Sequence, residues 1–317
     1  MIRKILKWLL VFAVISLVAL FIWGYAPELS VAELKPDYAN AESEFVDLGD
    51  GLTVHLRDEG PADAPAIILL HGSNASLHTW DDWTARLNGQ YRIIRYDQAG
   101  HGLTGPHPKN CYTIDCYTDV VARVAANRGL AKFTLGGNSM GGGISYAFAR
   151  IKPEMLEGLI LVDPSGAPEA KKADLPIGFK IAQTPVLRGL MSIITPRSII
   201  ATSLKQTVSD PKLVTEAKVD LYWKMLRRTG NRTATMQRFA EYAKRKPVDP
   251  VLRPGLPTLI QWGDQDRLIN VGAVPWFEAQ FPKHVTKIYA GIGHLPMEEV
   301  PAQSAKDVAE WMAGRGQ

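Results

Sequence analysis

Cysteine is nearly missing from this chain: 317 residues contain two, Cys111 and Cys116. Two are too few for a disulfide-stapled scaffold or a thiolate zinc site. No H-E-x-x-H stretch and no cysteine/histidine spacing of the zinc type occurs, so metal binding has no motif behind it. Also lacking is any long basic run with interleaved aromatics. The net charge is only +4, part of it from Arg3, Lys4 and Lys7, and nucleic acid is not expected as a partner. Hydrophobic residues make up 46% and charged residues 21%. Those ordinary globular proportions exclude wholesale disorder and a protein of many membrane spans.

One stretch lacks charge altogether. From Trp8 to Pro27 the sequence runs WLLVFAVISLVALFIWGYAP, about the 20 residues that cross a bilayer core as a helix. Trp8 at one end and Trp23 with Tyr25 at the other suit the two membrane interfaces, basic residues precede the run, and Glu28, Glu33 and Asp37 follow it. That asymmetry predicts a single-pass anchor over residues 1–26, with the bulk of the protein on the extracytoplasmic (periplasmic) side. The rival reading is a cleaved signal peptide ending near Ser30-Val31-Ala32, although Ala32 lies well past the apolar run. Residues 27–41 read as a tether leaving the membrane.

From about Glu42 the chain alternates apolar runs with helical patterns. Thr53–Arg57, Ala66–Leu70, Tyr91–Tyr96, Phe133–Gly136 and Leu156–Val162 read as strands, mostly as continuous apolar runs suited to burial on both faces of a parallel sheet. Asp81–Leu87, Asp119–Arg128 and Gly141–Arg150 read as helices between them, the grammar of an α/β fold. After Asp163 that grammar breaks. Residues 165–247 have helical stretches and no convincing strand, so a helical cap is expected between core halves 42–164 and 248–317. Pro257–Trp262, Val274–Gln280, Val285–Tyr289 and a last helix at Ala302–Met312 resume the alternation.

The chemistry centres on Gly137-Asn138-Ser139-Met140-Gly141, a G-x-S-x-G between an apolar run and a helical one. A serine on such a turn presents its hydroxyl in strained geometry beside unpaired N–H groups at a helix start. Its hydroxyl needs a base to take its proton and an acid to orient that base. His294, in the glycine-rich Gly293-His294-Leu295, supplies the base. The acid should end the preceding strand, where Asp264 and Asp266 both stand, and Asp163 ends a strand of its own. The backbone N–H of Met140 is one oxyanion donor. Ser73, in the loop His71-Gly72-Ser73-Asn74 after the early buried strand, supplies the second, and Asn74 is the next candidate and a substrate-binding residue. His71, His101 and Asp97 are expected to bond locally within their loops.

These landmarks together resemble the α/β-hydrolase superfamily over roughly residues 42 to 315. His71-Gly72, the run Asp97-Gln98-Ala99-Gly100-His101-Gly102, the serine turn, Trp262-Gly263-x-x-Asp266 and Gly293-His294 occur in the family's order. The resemblance implies a mostly parallel sheet flanked by helices, a helical cap, and a triad of Ser139, Asp266 and His294. It implies a carboxylesterase-like serine hydrolase acting on small ester-like substrates without a cofactor. Gly-Asn-Ser-Met-Gly-Gly is also similar to the serine turn of carbon–carbon bond hydrolases that cleave aromatic ring-fission products, in which the Asn before Ser helps bind substrate. That makes Asn138 a substrate-binding candidate. Against that kinship, Ser73-Asn74-Ala75 replaces a glycine-rich stretch and Leu295 replaces a Trp. A third possibility is a non-catalytic, membrane-tethered binding protein on the same scaffold, from which triad residues would have been lost.

Two expectations concern the remaining features. Cys111 and Cys116 pair in an oxidising compartment if their Cα atoms come within range, whereas a helix beginning near Tyr117 would point them apart. The cap should set acyl-chain or alcohol preference, with Trp223 and Met225 as its bulky wall residues.

Overall fold

The computed structural model describes residues 2–168, 175–184, 193–242, 244, 253 and 255–315. Eight strands form one sheet: β1 Ser43–Asp47, β2 Thr53–Glu59, β3 Ala66–Leu70, β4 Arg92–Tyr96, β5 Phe133–Asn138, β6 Leu156–Val162, β7 Thr258–Gly263 and β8 His284–Tyr289. Their spatial order is β1-β2-β4-β3-β5-β6-β7-β8. β1 pairs antiparallel with β2, and β2 with β4; from β4 to β8 every pairing is parallel.

The apolar runs explain that architecture. In β3, Ile68 and Leu70 enter one core cluster while Ile67 and Leu69 enter the other; β6 divides Leu159 and Leu161 from Ile160 and Val162 in the same way. A strand with both faces buried has to be covered by helices on both sides. One face is covered by α4 (Ile114–Asn127), α5 (Met140–Ile151) and α10 (Val274–Gln280), which contribute Val121, Val124, Ile144, Phe148 and Phe277. The other is covered by α3 (Asp81–Leu87) and α12 (Pro301–Gly314), through Trp83, Leu87, Val308 and Trp311. α4 starts earlier than its apolar pattern suggests because the Thr113 hydroxyl accepts the Cys116 N–H and Asp115 sits in the first turn. Both features stabilise a helix N-terminus.

Between β6 and β7 lie α6 Ile177–Gln183, α7 Arg197–Lys205, α8 Glu216–Arg227 and α9 Asn231–Tyr242. The division drawn at 247/248 lies outside the described residues. The short helix α11, Pro296–Glu299, follows His294.

The N-terminal run is a helix, α1, over Ile2–Gly24, with large apolar side chains such as Trp8, Phe12 and Ile22 exposed. It is long and apolar enough to cross a membrane, a property that anchors and signal sequences share. The stretch read as a tether does not hang free. It carries α2, Val31–Tyr38, whose Ser30 and Glu33 form a reciprocal capping box, and whose Leu34 is buried against Leu103 and Met225. The chain leaving α1 is stitched to the cap. Thr195 N–H donates to Gly24 O at 2.9 Å, Leu29 N–H to Arg227 O at 2.8 Å, and Thr229 N–H to Leu29 O at 2.8 Å. Arg232 donates to Ala26 O at 2.7 Å and Arg227 to Pro27 O at 2.9 Å.

Candidate active site

Ser139 sits between β5 and α5 with φ +54° and ψ −116°, a conformation that costs an L-residue of order 1–3 kcal/mol and is held by its surroundings. Its N–H donates to Val162 O at 3.0 Å, and its carbonyl accepts Gly143 N–H and Ser165 N–H, each at 3.0 Å. The turn is so tight that a Cβ on Gly137 would lie 2.4 Å from the Gly141 backbone, and one on Gly141 would lie 2.2 Å from Leu70 O. Those clashes are why glycine flanks the serine. Met140 is the first residue of α5, so its N–H has no carbonyl within its own helix.

His294 follows β8, and its Nδ1 lies 2.7 Å from Asp266 Oδ2. The other Asp266 oxygen accepts Leu268 N–H at 2.7 Å and Ile269 N–H at 3.1 Å. Both side chains are buried. Asp266 accepts all three of these bonds, and the one from Nδ1 sets which ring nitrogen of His294 carries the hydrogen. Asp264, the other carboxylate of that loop, accepts Gly291 N–H at 2.7 Å, whereas the imidazole pairs with Asp266. Asn138 donates to His294 O at 3.1 Å and to Val162 O at 3.2 Å, tying the serine turn to the histidine loop.

The loop after β3 is held by His71. Its Nε2 accepts Gln98 N–H at 3.0 Å and its Nδ1 donates to Gly72 O at 2.8 Å. Burial presses this imidazole down to about 4 against the pull of Asp97, so it is neutral and its tautomer is set by these two bonds. Gly72 begins the turn that carries Ser73, with Ala75 N–H donating to Gly72 O at 3.3 Å. Asn74 takes a left-handed φ of +61°, and its side-chain oxygen accepts from Thr235 at 3.3 Å and from Arg238, both on α9. Asp97, fully buried, accepts Leu77 N–H and Leu103 N–H, both at 2.8 Å, and pairs with His55 Nδ1 at 2.7 Å. Burial opposes its charge, yet the bond from His55 and the positive field around it hold its carboxyl well below the usual range.

A cavity of about 980 Å³, counted to its open mouth, brings the motif residues together: Ser73, Asn74, Asn138, Ser139 and His294 all line it. The cap closes it with Phe179 of α6, Leu204 of α7, Tyr222 and Leu226 of α8, and Met236 of α9. Trp223 and Met225, expected in that wall, are elsewhere. The Trp223 ring lies under Arg227 and donates to Thr195 O at 2.8 Å, and Met225 packs on Leu34. The helical period of α8 puts 222 and 226 on one face and 223 and 225 off it, and composition alone did not show which face turned inward.

Asp163, Asp266 and His294 bring three ligand-type atoms within 4.8 Å of one another. These are the atoms where a metal would first be sought among the described residues, and the His294 and Asp266 atoms already bond to each other. Cys111 and Cys116 form a disulfide with Cα atoms 6.0 Å apart, inside the allowed range; Cys116 lies in the first turn of α4 and still faces its partner.

A family model described as "Alpha/beta hydrolase family" matches residues 67–309, well over half the sequence. The chain belongs to that family. Among solved structures it is similar to one titled a membrane phospholipase A, with TM-score 0.74, 24% identity and full coverage of both chains. Another is a thermophilic esterase from Thermogutta terrifontis, with TM-score 0.71 and 22% identity over 87% of this chain and all of that one. At those identities the likeness shows the fold. In sequence it is 26% identical to a 2-hydroxy-6-oxononadienedioate/2-hydroxy-6-oxononatrienedioate hydrolase of Burkholderia vietnamiensis, over 86% of this chain and 96% of that protein. Proteins named for different substrates therefore match this one chain.

Proposed function

We propose that this family member is a serine hydrolase that cleaves carboxylic esters through an acyl-enzyme on Ser139. The reading rests on one observation above all, the buried His294–Asp266 pair at 2.7 Å beside a cavity that also exposes the strained Ser139. With its proton on Nδ1, His294 offers Nε2 to the serine hydroxyl. Ser139 attacks the ester carbonyl as His294 takes its proton, and the N–H groups of Met140 and Ser73 receive the oxyanion. His294 then protonates the departing alcohol, and water repeats the cycle to release the acid. No residue in this sequence of steps calls for a cofactor. The apolar cap wall suits an acyl chain or apolar alcohol.

Carbon–carbon bond cleavage is the second reading, favoured by the Burkholderia relative and by Asn138 preceding the serine. Its Asn138 amide, however, is occupied by two backbone carbonyls. The decisive experiment labels the full-length protein with a fluorophosphonate and assays p-nitrophenyl esters of increasing chain length beside a ring-fission dienoate. Labelling and ester turnover that vanish in Ser139→Ala and His294→Ala, by about 10⁴-fold or more, are expected. A folded Ser139→Ala that still turns over esters would end the reading. A protein that neither labels nor turns over any ester would be a binding module instead.

We also infer that α1 is retained as an anchor with the domain on the extracytoplasmic side. Three features support this: basic residues ahead of the span, a disulfide that persists in oxidising compartments, and the docking of residues 24–38 on the cap. Cleavage after Ala32 would cut the first turn of α2. Protease added to intact spheroplasts should digest the domain, and protection until lysis would reverse the assignment.

A further inference from the structure

Among the described residues lining the cavity over Ser139 there is one fixed positive charge, Arg232, and no carboxylate. Arg232 stands on α9 with Thr235 and Met236, at spacings of three and four that put all three on one face of the helix, and all three line the cavity. The side chain is buried, at 5% exposure. Its hydrogen bonds among the described residues all leave from Nη1: to Ala26 O at 2.7 Å, to Ile193 O at 3.4 Å and to Thr195 Oγ1 at 3.5 Å. Nε is buried with no partner among those residues.

The guanidinium is therefore used on one side only. Nη1 holds the chain that leaves α1, while the opposite edge, Nε with Nη2, is the pair of parallel N–H donors that meets a carboxylate or a phosphate with two bonds. The carboxylate whose field supports the Arg232 charge is Glu28, and its Oε1 is taken by Gly230 N–H at 3.0 Å. Arg227 opposes that charge. Burial, the largest influence, pulls the guanidinium below its ordinary value, although an arginine stays charged in a protein. A buried cation without a partner is unfavourable, and an anion arriving with the substrate removes that cost.

We propose that Arg232 is a specificity-determining residue that binds a carboxylate or phosphate group carried by the ester substrate. The proposal rests on the serine-hydrolase reading above and narrows its substrate class to anionic esters with a short spacer. The spacer follows from α9. Thr235 donates to Asn74 at 3.3 Å, in the loop that carries the second oxyanion donor, and Arg232 stands on the same wall one helical turn earlier, about 5 Å along the axis. A few bonds between the ester carbonyl and the anion cover that separation. Either half of the ester can carry the charge, and the test separates the two.

The test uses the full chain and three pairs of esters, each an anion beside its neutral counterpart: p-nitrophenyl hydrogen adipate with the p-nitrophenyl methyl diester, butyryloxyacetate with butyryloxyacetone, and butyryl glycerol phosphate with butyryl glycerol. The first pair puts the charge in the acyl half, and the others put it in the alcohol half as carboxylate or phosphate. In the native protein kcat/KM should favour the anion in at least one pair, by about tenfold or more. Arg232→Gln should reduce that preference by about 10²-fold. Arg232→Lys, which keeps the charge but loses the fork, should reduce it by an intermediate factor. Each preference is a ratio within one protein, so a junction loosened at Ala26 lowers both members alike and leaves the ratio unmoved. A native protein that favours no anion overturns the proposal whether or not the variants fold, and a preference that survives Arg232→Gln overturns it too. Failure of the serine-hydrolase reading looks different, because then no ester of any pair is turned over. Calorimetry on Ser139→Ala decides in that case: tighter binding of an anion, lost on adding Arg232→Gln, supports the site, and equal binding within every pair overturns it.

Discussion

Lowering the pH from 7 to 5 should destabilise the protein, and His71 should carry a defined share of the loss. The imidazole is wholly buried, held down to about 4 against an ordinary 6.5, with both nitrogens spent on backbone partners. At pH 5 the unfolded imidazole is protonated by about thirty to one, whereas in the folded protein about one in ten carries the extra proton. The unfolded state binds more protons, so stability falls with pH throughout this window. Linkage makes the His71 share about 2 kcal/mol between pH 7 and 5. His101, pressed well below the ordinary range by burial and by Arg238, adds in the same direction. Asp97, depressed below the carboxylate range, contributes stability that is present above about pH 4 and lost only as pH falls further, so it leaves the window undisturbed. The perturbation is His71→Gln, which keeps a donor and an acceptor but does not titrate. Urea unfolding of both proteins in detergent at pH 7 and pH 5 gives four stabilities. The loss on acidification should be smaller in the variant by about 2 kcal/mol, a difference of about 0.7 M in urea midpoint for a slope of about 3 kcal/mol/M. Equal acid losses in the two proteins would refute a buried neutral His71.

Gly141→Ala should abolish ester turnover, by about 10³-fold or more if the second oxyanion donor is displaced, because its methyl would press to 2.2 Å from Leu70 O and drive the helix off the β3 loop; measured turnover within tenfold of native would show that the turn adapts. Leu226→Trp should shorten the preferred acyl chain with little change in melting temperature, since Leu226 lines the cavity. Trp223→Phe should leave that preference alone, because its ring rests under Arg227 outside the wall. An ester chain-length series separates the two outcomes.

Strands with both faces buried were legible from their residues. The bounds of β3, β6, α3 and α10 coincide with runs read from the sequence, because continuous apolar segments broken by glycine, proline or charge leave little choice of limits. β1 was not legible: Ser-Glu-Phe-Val-Asp is a half-exposed edge whose pairing with β2 decides its state. α2 contains Pro36 and has no helical signal of its own beyond its cap, and it gains its stability from burying Leu34 against the helical cap domain. At the site, Ser139, His294 and Ser73 could be singled out because each stands on a short motif, and the structure brings them to one cavity. Arg232 and Arg238 were not found. Nothing local marks an arginine that bonds a carbonyl two hundred residues away or grips Asn74 across the cap; such partners are products of topology.

The stitching of residues 24–29 to the cap changes what the N-terminal helix does mechanically. A flexible leash would let the domain swivel and sample every tilt, whereas here the helix ends at a joint of almost no length, closed by backbone bonds on both sides of Ala26 and Leu29. Rotational freedom about the attachment is removed, and the cap becomes the part of the domain that moves with the helix. Arg232 both bonds Ala26 O and lines the cavity, so a torque applied to the helix has a direct side-chain route to the chamber wall beside the backbone bonds.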